Sequence, residues 1–189
     1  KILYLAFNKS LSEEIKEKLK KQNINNMYPF TFDALMRQIY IDVVGEFNLI
    51  HLKPFNLPDY INWFRNKRFA LKQNFIKKLD NFCNQTKYND INKFCIECYN
   101  KKDNLLEQLW RQIERNEFQT FNTIRKLNEI NHYCKDYINN TYDAILIDEA
   151  QDFDNVMLKM LLEDTTITKI FVGDPKQAIY EWKGSINAF

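Results

Sequence analysis

The sequence reads Ala144-Ile145-Leu146-Ile147-Asp148-Glu149 near its C-terminal end, so a continuously apolar run stops at two acids. A short apolar run without polar alternation is typical of a parallel strand that is covered on both faces. In open α/β sheets, ligands bind at the carboxyl ends of such strands. The pattern therefore predicts a buried strand that delivers Asp148 and Glu149 to the ligand-binding edge of a sheet.

Segments on both sides of this run predict the rest of the sheet. Strand patterns occupy 2–7, 27–32 and 169–173, and helical patterns occupy 9–21, 33–44 and about 155–163. Asn8 or Ser10 is the expected N-cap of the first helix. The alternation of strand and helix predicts the α/β class with a parallel sheet, whose resumed strands near the C-terminal end are covered on both faces.

Residues 46–140 have a different character. Their apolar residues recur at helical spacing, as in Phe75-Leu79-Phe82 and Leu105-Leu109-Ile113. We expect four or five helices and no sheet in this range. The simplest organisation is a sheet core formed by 1–45 and 141–189, interrupted by an all-helical insertion at 46–140.

Composition excludes several classes of protein. No apolar run approaches the roughly 18 residues that span a bilayer, and no signal peptide is evident, which predicts an intracellular protein without a membrane partner. The three glycines, Gly45, Gly173 and Gly184, leave no phosphate-binding loop of the G-x-x-x-x-G-K-[ST] type within the chain. Because an apolar strand begins at once after Lys1, the sequence reads as a piece of a longer protein. Cys95 and Cys98 are half of a zinc pattern, but buried reduced thiols are the favoured interpretation.

Charge is segregated along the chain. The net charge is +6 over 51–140 and −5 over 141–189. A basic, aromatic-rich middle is compatible with a surface for a phosphate backbone and equally with solvated helix faces. The acidic end is where functional carboxylates are expected.

The two acids have a functional and a structural interpretation. In the first, Asp148 holds Mg²⁺ at nucleotide phosphates and Glu149 accepts a proton from the water that attacks the terminal phosphoryl group. In the second, the pair forms a polar turn before the next helix. The segment from Val172 to Gly184 favours the first interpretation, because it brings Gln177 to the same edge as the acids.

Aromatic residues follow that amide along the chain. Tyr180 and Trp182 lie two residues apart, and Lys183 comes next. Rings beside a cation can stack on the bases of a single strand and pair with its phosphates. The alternative is that both rings belong to the core.

These segments resemble motifs II and III of the UvrD/Rep-type superfamily 1 DNA helicases, particularly the F-box DNA helicase branch. The motifs read Asp148-Glu149-Ala150-Gln151-Asp152 and Gly173-Asp174-Pro175-Lys176-Gln177-Ala178-Ile179-Tyr180-Glu181-Trp182-Lys183-Gly184. Leu5-Ala6-Phe7-Asn8-Lys9-Ser10 is similar to motif Ia, and Thr31-Phe32-Asp33-Ala34-Leu35 to motif Ib. The resemblance implies a RecA-like core over 1–45 and 141–189 with an inserted helical subdomain over 46–140.

The resemblance also implies cofactors, roles and a partner. ATP and Mg²⁺ are the implied cofactors, with Asp148 as Mg²⁺ ligand, Glu149 as catalytic base and Gln177 as γ-phosphate sensor, next to Asp174 in the nucleotide-binding segment. Contact with single-stranded DNA is implied for Asn8, Lys9, Thr31, Phe32, Tyr180, Trp182 and Lys183. The phosphate loop is expected before Lys1, and a second RecA-like domain of the same polypeptide after Phe189.

The resulting hypothesis is a fragment of an ATP-dependent DNA helicase that moves along single-stranded DNA, 3′ to 5′ by family likeness, and is inactive by itself. The alternative is a non-enzymatic or degenerate module that binds single-stranded nucleic acid. The expected location is nuclear in a eukaryote and cytoplasmic in a bacterium or virus.

Overall fold

Four parallel strands form the sheet of the computed structural model, which describes residues 1–50, 68–162 and 165–174. The strands are β1 (Ile2–Ala6), β2 (Met27–Thr31), β3 (Ala144–Ile147) and β4 (Thr168–Phe171). They lie in the order β2-β1-β3-β4, and each neighbouring pair is parallel. The predicted α/β class with a parallel sheet is therefore confirmed.

Eight helices accompany the sheet in the described part of the chain. They are α1 (Lys9–Lys21), α2 (Phe32–Val44), α3 (Phe69–Cys83), α4 (Ile91–Tyr99), α5 (Asn104–Glu114), α6 (Phe121–Ile130), α7 (Tyr133–Thr141) and α8 (Asn155–Leu162). Four of them, α3 to α6, lie within 46–140, and α7 begins there and ends one residue beyond it, in agreement with the four or five helices expected. Asn8, rather than Ser10, caps α1, because its Oδ1 accepts a hydrogen bond from the Leu11 amide at 2.9 Å.

The two middle strands of the sheet contribute fully buried side chains to the core. Leu3 and Leu5 of β1 and Ile145 and Ile147 of β3 have no exposed surface. β4 differs from the prediction of strands covered on both faces, since Ile170 is 47 % exposed. The physical reason is its position, because β4 is the last strand of the described sheet and pairs there with β3 alone.

Contacts between residues divide the chain into two units. The first contains Lys1–Val43 and the described residues from Asn131 onward, and the second contains Val44–Ile130. The sheet and α7 belong to the first unit, and α3 to α6 belong to the second. The expected domain limits at 45/46 and 140/141 stay a prediction.

Two further features bear on function. The longest described helix, α3, has 15 residues, and no helix in the described ranges is long and apolar enough to cross a membrane. All four cysteines are free thiols, three of them buried and Cys98 exposed. Burial raises the pKa of Cys83, so this thiol is protonated and inert at neutral pH.

A buried cation lies at the centre of the second unit. The Lys126 side chain has no exposed surface, and its Nζ donates to Glu129 Oε2 at 2.9 Å and to the Gln85 carbonyl at 2.7 Å. The same Nζ lies 5.1 Å from the centre of the Phe82 ring. Three partners thus replace the water that the ammonium group loses on burial.

Removing this cation should destabilise the chain severely. Lys126→Ala leaves the Glu129 carboxylate buried without its ion pair, and we expect a loss of about 3–5 kcal/mol in the free energy of unfolding, measured by urea denaturation. The matched control is Lys87→Ala, which breaks an ion pair to Glu97 whose lysine side chain is 69 % exposed. That loss should be far smaller, because water screens an exposed ion pair. Equal losses in the two variants would contradict the role assigned to Lys126.

Candidate functional site

The carboxyl ends of the strands form one continuous edge. The backbone hydrogen-bond ladder extends past β3, because Asp148 N donates to Leu5 O at 2.9 Å. On the other side of β3, Val172 N donates to Ile147 O at 2.8 Å. The segments that follow β1, β3 and β4 are therefore held against one another where they leave the sheet.

Asp148 lies half-buried at this edge between two donors. Its Oδ1 accepts a hydrogen bond from the Glu149 amide at 3.0 Å, and its Oδ2 accepts one from the Tyr4 hydroxyl of β1. Burial raises the pKa of Tyr4, and the Asp148 carboxylate raises it further. The phenol therefore stays protonated and keeps donating to Asp148 at physiological pH.

Glu149 begins the turn that follows β3. Its backbone is left-handed, with φ 51° and ψ 46°, an uncommon conformation for a residue other than glycine. A short 3₁₀ turn over Ala150–Asp152 follows, in which Asp152 N donates to Glu149 O at 3.0 Å. The carboxylate of Glu149 accepts a hydrogen bond from Gln151 Nε2 at 2.5 Å.

The donor set at the edge fits a magnesium ion. Mg²⁺ is usually held by one or two carboxylates, with water and phosphate oxygens completing its shell. Each carboxylate oxygen can accept about two hydrogen bonds, so Asp148 retains acceptor capacity besides its two protein donors. Within the described ranges, no group of three or more His, Cys, Asp or Glu side chains forms a cage of its own.

The residues expected to contact DNA lie along the same edge, after β1 and β2. Asn8 and Lys9 are exposed, and the Lys9 side chain is 86 % exposed, with its Nζ 3.5 Å from Glu13 Oε1. Thr31 Oγ1 accepts a hydrogen bond from the Ala34 amide at 3.2 Å. Phe32 is only 4 % exposed and belongs to the core, so its ring is not presented at the surface.

The remaining predicted site residues lie past β4. Asp174 is half-buried, three residues after the end of that strand. Gln177, Tyr180, Trp182 and Lys183 lie outside the described residues. Their roles stay predictions from the sequence.

Two residues of the site were not identified from the sequence. Tyr4 and Gln151 each hydrogen-bond one of the two acids. Tyr4 lies within an apolar strand pattern, which resembles any core position. Its hydroxyl is the one signal that could have indicated a polar partner.

The parallel sheet, its helices and the two acids at its edge are those of an α/β protein with a RecA-like core. A family model for the UvrD/REP helicase N-terminal domain matches residues 1–188. The chain belongs to this family, and the resemblance seen in its motifs is confirmed.

Two relatives match shorter parts of the chain. The Gabija protein GajB of Bacillus cereus (strain VD045) is 50 % identical over 55 residues, which are 28 % of this chain and 11 % of GajB. F-box DNA helicase 1 of Gallus gallus is 46 % identical over 46 residues, which are 24 % of this chain and 4 % of that protein. The matched segments are thus a small part of each relative.

The Tyr4 hydrogen bond should be measurable as stability. We expect Tyr4→Phe to lower the free energy of unfolding at pH 7 by about 1.5–3 kcal/mol, because the lost hydrogen bond goes to a charged group. Urea denaturation measures the change, and Tyr28→Phe, at a side chain that is 37 % exposed, is the control.

The same variant should show a defined pH dependence. Because the pKa of Tyr4 is raised in the folded protein, the unfolded chain releases this proton first, above the ordinary tyrosine value of 10.0. The stabilisation is complete below pH 10 and is lost as the pH rises further. The difference between wild type and Tyr4→Phe should therefore shrink above pH 10, and a constant difference would contradict the assignment.

Proposed function

We propose that this chain supplies part of the ATPase site and part of the DNA path of an ATP-dependent DNA helicase. The observation that carries the proposal is the edge of β3, where two adjacent carboxylates have different partners. Asp148 is bonded by Tyr4 and by a backbone amide, and Glu149 by a side-chain amide. Two acids in different environments suit two different roles in phosphoryl transfer.

The residues divide the chemistry between them. Asp148 would hold Mg²⁺, which neutralises charge on the phosphates when it is bound. Glu149 would accept a proton from the attacking water, and a positioned general base contributes about 10²- to 10⁴-fold to the rate. Asp174 and Gln177 come after β4 in the sequence and would contribute to the nucleotide site, with Gln177 bonding the γ-phosphate.

The DNA path would run along the ends of the neighbouring strands. The end of β1 lies next to the end of β3, and the end of β2 lies one strand further along the edge, with about 5 Å between neighbouring strands. Asn8, Lys9 and Thr31 would contact the phosphates of a single strand there. Tyr180, Trp182 and Lys183 would add stacking on bases, worth about 1–3 kcal/mol per base.

The finer features of the helicase are part of the proposal. Movement would be 3′ to 5′, with a second RecA-like domain of the same polypeptide closing on ATP. This chain alone would be inactive, in the nucleus of a eukaryote or the cytoplasm of a bacterium or virus. The family and the partial match to F-box DNA helicase 1 support the helicase class from which these features are proposed.

A second candidate is a non-enzymatic module that binds single-stranded nucleic acid. It would use the exposed Asn8 and Lys9 at the sheet edge without any chemistry at the carboxylates. The two candidates differ in whether the carboxylates are used, and the following variant distinguishes them.

Replacing the proposed base should abolish turnover and leave binding intact. In the full-length protein, we expect Glu149→Gln to lower the DNA-stimulated ATP hydrolysis rate by about 10²-fold or more, since the amide cannot take the proton. The affinity for a non-hydrolysable ATP analogue should be retained. Glu17→Gln, at an exposed position of α1, is the control. Undiminished hydrolysis in Glu149→Gln, or none in wild type, would favour the second candidate.

Lys9 should contribute to the affinity for DNA. We expect Lys9→Glu to weaken binding of an oligothymidylate and to reduce the slope of log K against log salt by about 1, because one phosphate contact is lost. Lys20→Glu makes the same charge change near the other end of α1 and should leave the slope unchanged. Identical effects of the two variants would mean that general charge, rather than this edge, binds the strand.

A further inference from the structure

We propose that Gln151 is a positioning residue for the carboxylate of Glu149 and that Gly173 holds Gln151 in place. This inference rests on the proposed function, in which Glu149 is the base. Gln151 is 2 % exposed and lies two residues after Glu149 in the same turn. Its Nε2 donates to Glu149 Oε2 at 2.5 Å.

The chemistry of the two groups determines which way the amide faces. An ionised carboxylate can accept hydrogen bonds and cannot donate them, so the amino group of Gln151 must point to Glu149. The amide oxygen consequently points away from the carboxylate. Gln151 Oε1 is buried and has no hydrogen-bond partner among the described residues. A buried acceptor without a donor is unfavourable, so this orientation must be maintained by the surrounding structure.

Gly173 leaves the space in which the Gln151 amide lies. A Cβ atom at position 173 would lie 2.1 Å from Gln151 Oε1 and 3.0 Å from the Ala150 amide nitrogen. The Ala150 amide is itself fixed, because it donates to Val172 O at 3.0 Å. The chain leaving β4 therefore packs its bare backbone against the Gln151 amide. Any side chain at this position would displace Gln151 or the turn.

The backbone of Glu149 adds a second constraint. Its left-handed conformation sets the direction in which the side chain leaves the turn. Rotation about the side-chain bonds remains, and the hydrogen bond from Gln151 limits it. Since Oε2 is engaged by the amide, Oε1 is the oxygen assigned to receive the proton. Gln151 thus acts on the reaction through Glu149 and touches no reacting atom itself.

The segment that follows β4 is linked to the Glu149 carboxylate through Gln151. The contact runs from Glu149 through Gln151 to Gly173, the residue directly before Asp174. Loss of this contact should lower the rate of the chemical step and leave nucleotide affinity unchanged. A merely structural role for Gln151 would change both together, or stability alone.

The test uses Gln151→Met in the full-length protein, because methionine has a similar length and no N–H donor. We expect kcat for ATP hydrolysis to fall by about 10- to 100-fold, the usual effect of losing a group that orients a functional side chain. KM for ATP and the Kd of a fluorescent non-hydrolysable ATP analogue should stay within about twofold. The analogue Kd is a readout that does not depend on turnover.

Two further variants make the result specific. Gly173→Ala should lower kcat in the same way, because the added Cβ would displace the Gln151 amide. Gln38→Met is the matched control, since it removes a glutamine hydrogen bond to the Asp42 carboxylate at 2.8 Å on α2, away from the edge. That variant should keep the wild-type kcat. Gln151→Ala, which removes the donor without adding a charge beside Glu149, replaces Gln151→Met if the larger apolar variant does not fold.

A double mutant separates positioning from structure. In a Glu149→Gln background, Gln151→Met should cause no further loss of kcat, because the group that it orients is already gone. Additive losses, an unchanged kcat in Gln151→Met, or a parallel rise in the analogue Kd would each overturn the inference while leaving the proposed function intact. Undiminished hydrolysis in Glu149→Gln alone would overturn the proposed function itself.

Discussion

Parallel pairing of β1 with β3 and of β3 with β4 is the constraint on which the rest of the site depends. Parallel strands deliver the segments that follow them to the same edge of the sheet, whatever their distance in sequence. Tyr4 and Asp148 are 144 residues apart in the chain and meet through this pairing. Without the register of β1 on β3, the Tyr4 hydroxyl would not reach the Asp148 carboxylate.

Two buried polar side chains at the edge each hydrogen-bond one of the acids. Tyr4 donates to Asp148, and Gln151 donates to Glu149. Tyr4 is 7 % exposed and Gln151 is 2 % exposed, so neither can exchange its contact for water. In a low-dielectric setting, such groups are stabilising when they are paired and costly when they are not. The hydroxyl and the amide therefore hold the two carboxylates in different orientations, which suits a division of labour between them.

The second unit also contains a buried polar group whose partners replace water. Lys126 is fully buried among a carboxylate, a carbonyl and an aromatic ring. Its contacts order α6 against the end of α3. The unit contributes a specific helical packing, whereas membership in the UvrD/REP helicase N-terminal domain family extends over residues 1–188 and covers both units.

The sequence by itself determined the α/β class, the strands and the helices α1, α2 and α8 to within a few residues, and the placement of Asp148 and Glu149 at a strand end. It also indicated the helical character of the region between α2 and β3. Local hydrophobic patterns and chain order carry this information. The sequence did not show that Tyr4 bonds Asp148, that Phe32 is buried, or that Ile170 is half exposed. Only the tertiary structure decided these points, since each depends on which strands are neighbours and on how their side chains pack. The contact of Gln151 with Gly173 is of the same kind: it exists because β4 lies beside β3, and no local pattern records it.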